Sequence, residues 1–217
     1  MDFGAIDSVT VDGSFWQRRF GIDPSHRIFV YLGRLDPYQK GLDLLLEAWQ
    51  DAVGRSEQEV SLALVGPSWK EGTEQLTELR RRLGLEGSVC FTGPLHGEEK
   101  FQALLGADVY VQTSRFETSP YSIQEAMACG LPVIVTPGTN FARVVDRYDA
   151  GFAPDMSREA IASALVAAMQ LPEEELAAMG KSGRRLVEER HSLDRAARRA
   201  VEAYGAAVSG EPFDNDD

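Results

Sequence analysis

The chain has 217 residues, 43% of them hydrophobic, two cysteines and a formal net charge of −12. That length suits one sizeable core and one domain, and the charge argues against a nucleic-acid partner, which needs a basic face. No apolar run reaches about 18 residues, and the opening MDFGAIDSVTVDG has neither the basic nor the apolar region of a signal peptide, so a cytoplasmic protein without a transmembrane segment is expected.

Residues 1–27 read as an irregular, turn-rich extension or linker broken by Asp12-Gly13 and Asp23-Pro24. From Ile28 strands and helices alternate. Ile28–Gly33 is a strand and Leu42–Val53 an amphipathic helix; Val60–Gly66 and Glu74–Leu83 repeat the pair, with Gly84 as the stop. Val89–Thr92, the helix Glu98–Leu105 and the β-branched strand Ala107–Thr113 follow, then short strands at Val133–Thr136 and Gly151–Ala153. Three helices close the chain, Arg158–Gln170, Glu173–Arg190 and Leu193–Val208, with a break at His191-Ser192. This alternation predicts an α/β fold with a parallel, doubly wound, Rossmann-like sheet over residues 28–208. Residues 209–217 read as a disordered acidic tail, where Asp214-Asn215-Asp216 mimics an Asp-x-Asp metal motif without the setting of one. Cys90 and Cys129 sit in strand and helix contexts, as core thiols do.

The stretch Thr113–Thr136, TSRFETSPYSIQEAMACGLPVIVT, organises the rest. It reads as strand end, loop, helix and next strand, with Ser119 as N-cap, Pro120 in the first turn and Gly130 as the stop. A parallel pair so connected puts loop 114–119 at the carboxyl edge of the sheet, where open α/β folds bind ligands. Glu117 lies on that loop. Glu125 lies on the helix, about 200° from apolar Ile123 and on the face of Tyr121, pointing away from the sheet. Arg34 and Lys40 occupy the loop after the first strand, in a spacing that is neither a Walker A loop nor G-x-G-x-x-G. A guanidinium fork and an ammonium suit a diphosphate; the plainer reading is a pair of solvated cations, one of them beside Asp36. His96 reads as a solvated loop histidine rather than a catalyst. Trp69 either lines the cleft or covers the sheet edge, and Arg115 either pairs with Glu117 or contacts substrate.

Two motifs, YLGRLDPYQKG at Tyr31–Gly41 and the Glu117-x7-Glu125 pattern running into AMACGLPVIVT, resemble the C-terminal donor-binding domain of GT-B glycosyltransferases, the retaining group known as glycosyl transferases group 1 or family four. The resemblance covers roughly Ile28 to Met169. It implies the donor half of a hexosyltransferase-type enzyme moving a sugar from a UDP-, GDP- or ADP-sugar to an acceptor hydroxyl, with no metal or other cofactor. In that reading Arg34 and Lys40 bind the pyrophosphate and stabilise it as it leaves, and Glu117 lies near the transferred sugar. Glu125 holds the ribose hydroxyls, and Gly33, Pro94, Leu95, Ser119, Pro120 and Tyr121 complete the donor site. Thr118-Ser119-Pro120 departs from the family's usual Gly-Phe-Gly, and Pro120 has no N–H to offer. The saccharide, lipid or small-molecule acceptor would sit on an N-terminal half missing here, so the isolated domain is expected to be inactive; peripheral membrane association of a full-length enzyme fits the resemblance. A nucleotide-sugar epimerase half and a non-catalytic nucleotide-sugar-binding module are the alternatives.

Overall fold

A computed structural model describes Asp2–His191 and Leu193–Ser209. The predicted tail beyond Ser209, with Asp214 and Asp216, and the Ser192 half of the predicted helix break lie outside the described residues. Six strands, β1 (Arg27–Leu32), β2 (Val60–Val65), β3 (Val89–Gly93), β4 (Val109–Gln112), β5 (Val133–Val135) and β6 (Gly151–Phe152), form one sheet in the order β3-β2-β1-β4-β5-β6. All its pairings are parallel. The predicted doubly wound α/β fold is the observed one.

Alternation along the strands builds a core on each face. Phe29, Tyr31, Leu62, Leu64, Val109 and Val111 point to one side, against α3 (Leu42–Val53), α4 (Gly72–Arg82) and α8 (Arg158–Gln170). Phe29 and Trp49 meet there edge to face, with ring centres 5.2 Å apart. Val30, Ala63, Val65, Tyr110, Val133 and Val135 point to the other, against α5 (Gly97–Leu105), α6 (Tyr121–Ala128) and α9 (Glu173–His191). A short 3₁₀ turn, Pro137–Thr139, and α7 (Ala142–Arg147) link β5 to β6, and α10 (Leu193–Ser209) ends the described chain.

The N-terminal segment corrects the expectation of irregular chain. It contains α1 (Phe3–Asp7) and α2 (Phe15–Phe20), which bury Ile6, Phe15 and Trp16 in the second core. Helices of five and six residues carry too little periodicity to be seen in sequence, and tertiary packing rather than propensity holds them.

Candidate functional site

The strand order reverses its direction of winding between β1 and β4, so the chain leaves these neighbours toward opposite sides and opens a crevice at their carboxyl ends. Arg34 and Lys40 lie on the loop leaving β1, and Glu117 on the loop leaving β4. The two loops are tied together. Gly41 has φ +64°, and a Cβ there would lie 2.0 Å from the Thr113 carbonyl oxygen, so only glycine allows this approach. The Arg115 amide donates to the Gln39 carbonyl at 2.9 Å, and its guanidinium grips Asp43 with two bonds of 2.7 and 3.0 Å. Arg115 therefore pairs with Asp43, not with Glu117, and its role is to hold the loops in register.

That registration brings Lys40 Nζ onto Glu117 Oε1, with the side chains only 13% and 8% exposed. The same oxygen accepts from Gln112 Nε2 and Ser114 Oγ, each at 2.9 Å, and Asn140 Nδ2 holds the Glu117 carbonyl at 2.8 Å. An ammonium has three N–H donors, so Lys40 keeps two for another anion. Arg34 is placed differently. Its guanidinium lies 4.2 Å from the centre of the Trp69 ring and donates to Gln39 Oε1 at 3.2 Å. No carboxylate pairs with it among the described residues; Asp36, the expected alternative partner, accepts instead from the Gln39 amide at 2.9 Å. Trp69, 43% exposed, thus serves as the platform on which Arg34 rests. Gly33 continues β1, its amide donating to Val65 O at 2.9 Å.

Helix α6 starts one residue later than its sequence suggests. Pro120, not Ser119, occupies the N-cap, with φ −81°, ψ 70° and no side-chain cap. The amide of Tyr121, one of the residues expected in the donor site, closes a tight turn onto Ser119 O at 2.9 Å. The Ile123 amide of the same turn is taken as well, donating to the Pro120 carbonyl at 3.1 Å. Glu125, one turn on, is 22% exposed and faces Lys100 of α5, whose Nζ lies 2.6 Å from Oε1; Tyr121 is solvent-exposed. Pro94 is exposed, whereas the Leu95 side chain belongs to the second core, leaving only its backbone for a ligand. His96 is exposed at the start of α5.

Burial pushes the Tyr110 and Tyr31 phenols well above their ordinary range, with Glu117 among the neighbours adding to both shifts. Both tyrosines are therefore neutral donors beside the crevice. Lys100, Gln112 and Ser114 were not visible as site residues in the sequence. Lys100 had one signal, being one of four lysines, and Gln112 another, as an amide ending an otherwise apolar strand. A cavity of about 370 Å³ lined by Pro137, Asn140, Ala142 and Arg143 opens beside the Glu117 loop. A second, of about 410 Å³, lies at the opposite edge between His26, Asp108, Leu131 and Leu176; neither cavity is lined by a predicted residue. The chemistry concentrates at the first edge, so the second cavity is not taken as the site. Among the described residues no group of three or more His, Cys, Asp and Glu side chains converges to hold a metal, and no helix is long and apolar enough to cross a membrane.

Six parallel strands with their switch point between β1 and β4 make a Rossmann-like α/β fold, and it matches GT-B glycosyltransferase structures. Solved structures bear this out. The Anabaena protein Alr3699/HepE, in complex with UDP and glucose, superposes with a TM-score of 0.80 at 20% identity, covering 95% of this chain and 55% of its own. Sucrose-phosphate synthase from Thermosynechococcus elongatus gives 0.78 at 23% identity, covering 95% and 51%. The glycosyl transferases group 1 profile matches residues 13–186, and the chain belongs to that family. The match reaches beyond the stretch in which the sequence motifs lie, taking in α2 and most of α9. D-inositol 3-phosphate glycosyltransferase from Segniliparus rotundus is 30% identical over 75% of this chain, and mannosylfructose-phosphate synthase from Agrobacterium fabrum 34% over 55%. The matched stretches span 36% and 27% of those two relatives.

Proposed function

We propose that this domain is the donor half of a retaining, metal-independent hexosyltransferase that takes its sugar from a nucleoside-diphosphate sugar. The observation that carries the reading is the meeting of Lys40 and Glu117 across the β1/β4 crevice, with Arg34 held on Trp69 on the same β1 loop. Two cations with free N–H groups suit a diphosphate, which gains negative charge as the bond from its oxygen to the anomeric carbon breaks. The acceptor oxygen then bonds to that carbon on the same face, and its proton passes to the departing phosphate. Glu117 faces the sugar, and Glu125 takes the ribose hydroxyls, a pairing of carboxylate and vicinal hydroxyls that gives specificity. The complexes of Alr3699/HepE with UDP and with UDP-glucose favour a nucleotide-sugar donor and make UDP the first nucleotide to try.

By itself the domain is expected to bind nucleoside diphosphate and turn nothing over, because the acceptor groups lie on another half. Calorimetric titration with UDP, GDP and ADP, repeated on Arg34→Ala and Glu125→Ala, tests this. Binding of one nucleotide, weakened by both substitutions, is the expected result. Binding of none, or binding that neither substitution disturbs, would refute the site.

A further inference from the structure

Gln112 ends β4 just before the Glu117 loop and is 1% exposed. Each part of its amide is engaged. Oε1 accepts from Tyr110 Oη at 2.7 Å and from Ser122 Oγ at 3.0 Å, while Nε2 donates to Glu117 Oε1 at 2.9 Å and to Ser114 Oγ at 3.2 Å. The two ends of the amide cannot be exchanged, since an ionised carboxylate only accepts and the NH₂ must face it. Tyr110, which burial keeps protonated, pins the opposite end. Glu117 Oε1 thus collects three donors, from Lys40, Gln112 and Ser114, and among the described residues none reaches Oε2.

A polar side chain at this position is an expensive choice for packing alone. Val109 and Val111 fill the same strand with apolar side chains, and a buried amide is tolerated only when its partners are complete. The completed network connects β4, the Glu117 loop and, through Ser122, the first turn of α6. We propose that Gln112 is a positioning residue that fixes the Glu117 carboxylate with Oε2 as its single open acceptor, and so governs recognition of the transferred sugar rather than of the nucleotide. This rests on the donor-half reading above.

Calorimetric titration of the 217-residue chain with UDP, GDP and ADP, and with the glucosyl and mannosyl esters of each, separates the two recognitions. Gln112→Met is expected to leave nucleoside-diphosphate affinity within about twofold of wild type, and to weaken the best-bound ester about tenfold, the scale of one hydrogen bond to a charged group. Tyr110→Phe/Ser122→Ala, which keeps Gln112 but frees its amide to turn over, should move the same ratio less far. Equal losses for diphosphate and ester, or no loss in either, would overturn the proposal. A second arm needs no ligand: urea unfolding of Gln112→Met, Glu117→Gln and the double variant should be non-additive by about fivefold or more in the unfolding constant. Additivity within about twofold would overturn the positioning role. If wild type binds no nucleotide, the donor-half reading and sugar recognition fall together, and the unfolding cycle still decides whether Gln112 holds Glu117.

Discussion

At the amino edge of the sheet, charged side chains end on the chain's own backbone. Arg27 donates to the carbonyls of Ala168, Met169 and Leu171 at 2.9, 2.7 and 2.9 Å, capping the last turn of α8, and Asp108 accepts from the Ile28 amide at 2.6 Å. At the carboxyl edge three of them end on other side chains, Lys40 on Glu117, Lys100 on Glu125 and Arg34 on Trp69, while Arg115 divides its guanidinium between Asp43 and the Tyr38 carbonyl. A charge spent on backbone groups closes a helix end or a strand start. A charge paired with another side chain keeps free donors or acceptors and can be shared with a ligand. This contrast, rather than the volume of either cavity, separates architecture from site.

The largest effect expected from breaking it is that of Lys40→Met. Removing the ammonium leaves the nearly buried Glu117 carboxylate without its counter-charge, a cost of about 3 kcal/mol in urea unfolding, and nucleotide binding should be lost as well. Arg27→Met, at the other edge, should cost about 2 kcal/mol of stability and leave nucleotide affinity unchanged. Arg34→Ala should do the reverse, weakening nucleoside-diphosphate binding about tenfold while stability stays within about 0.5 kcal/mol. If Arg27→Met and Arg34→Ala each moved both quantities, the two edges would not differ in the way described.

A smaller effect is set by pH. Burial, with Glu173 adding to it, raises the Asp108 carboxyl above its ordinary value, against the Ile28 hydrogen bond and the Arg27 charge. Its contribution to stability is therefore complete below the ordinary carboxylate range and is lost as pH rises through the raised value. Asp108→Asn keeps an acceptor for Ile28 and has no charge to gain, so it should match wild type in acid and exceed it in stability at neutral pH. Thermal unfolding at both pH values checks the sign. The smallest effect concerns the cysteines, whose thiols burial pushes up to about 11 for Cys90 and about 12 for Cys129. Both should resist a disulfide reagent at pH 8 in the folded protein and react at once in denaturant.

Whereas the six-residue helix Ala142–Arg147 between β5 and β6 was not readable in the sequence, the order of the strands and of the longer helices and the parallel sheet were, from residue type and spacing. These depend on local periodicity, and the β-branched run before Thr113 or the amphipathic pattern of Leu42–Val53 carries it within a few residues. Arg34, Lys40 and Glu117 could be singled out because the loops that follow strands are few, and Glu125 because it shares a helix face with Tyr121, away from the sheet. Their partners could not be read. Lys100 comes to Glu125 from another helix, Arg115 turns to Asp43 across 72 positions, and Gln112 acquires its meaning only when Tyr110, Ser122 and Glu117 surround it. The short helices α1 and α2 were missed for the same reason, since the core beneath them, not their own sequence, makes them helical. Periodicity is a property of neighbours along the chain. Hydrogen-bond and charge partners are chosen among groups that only packing brings together, and that choice belongs to the tertiary structure.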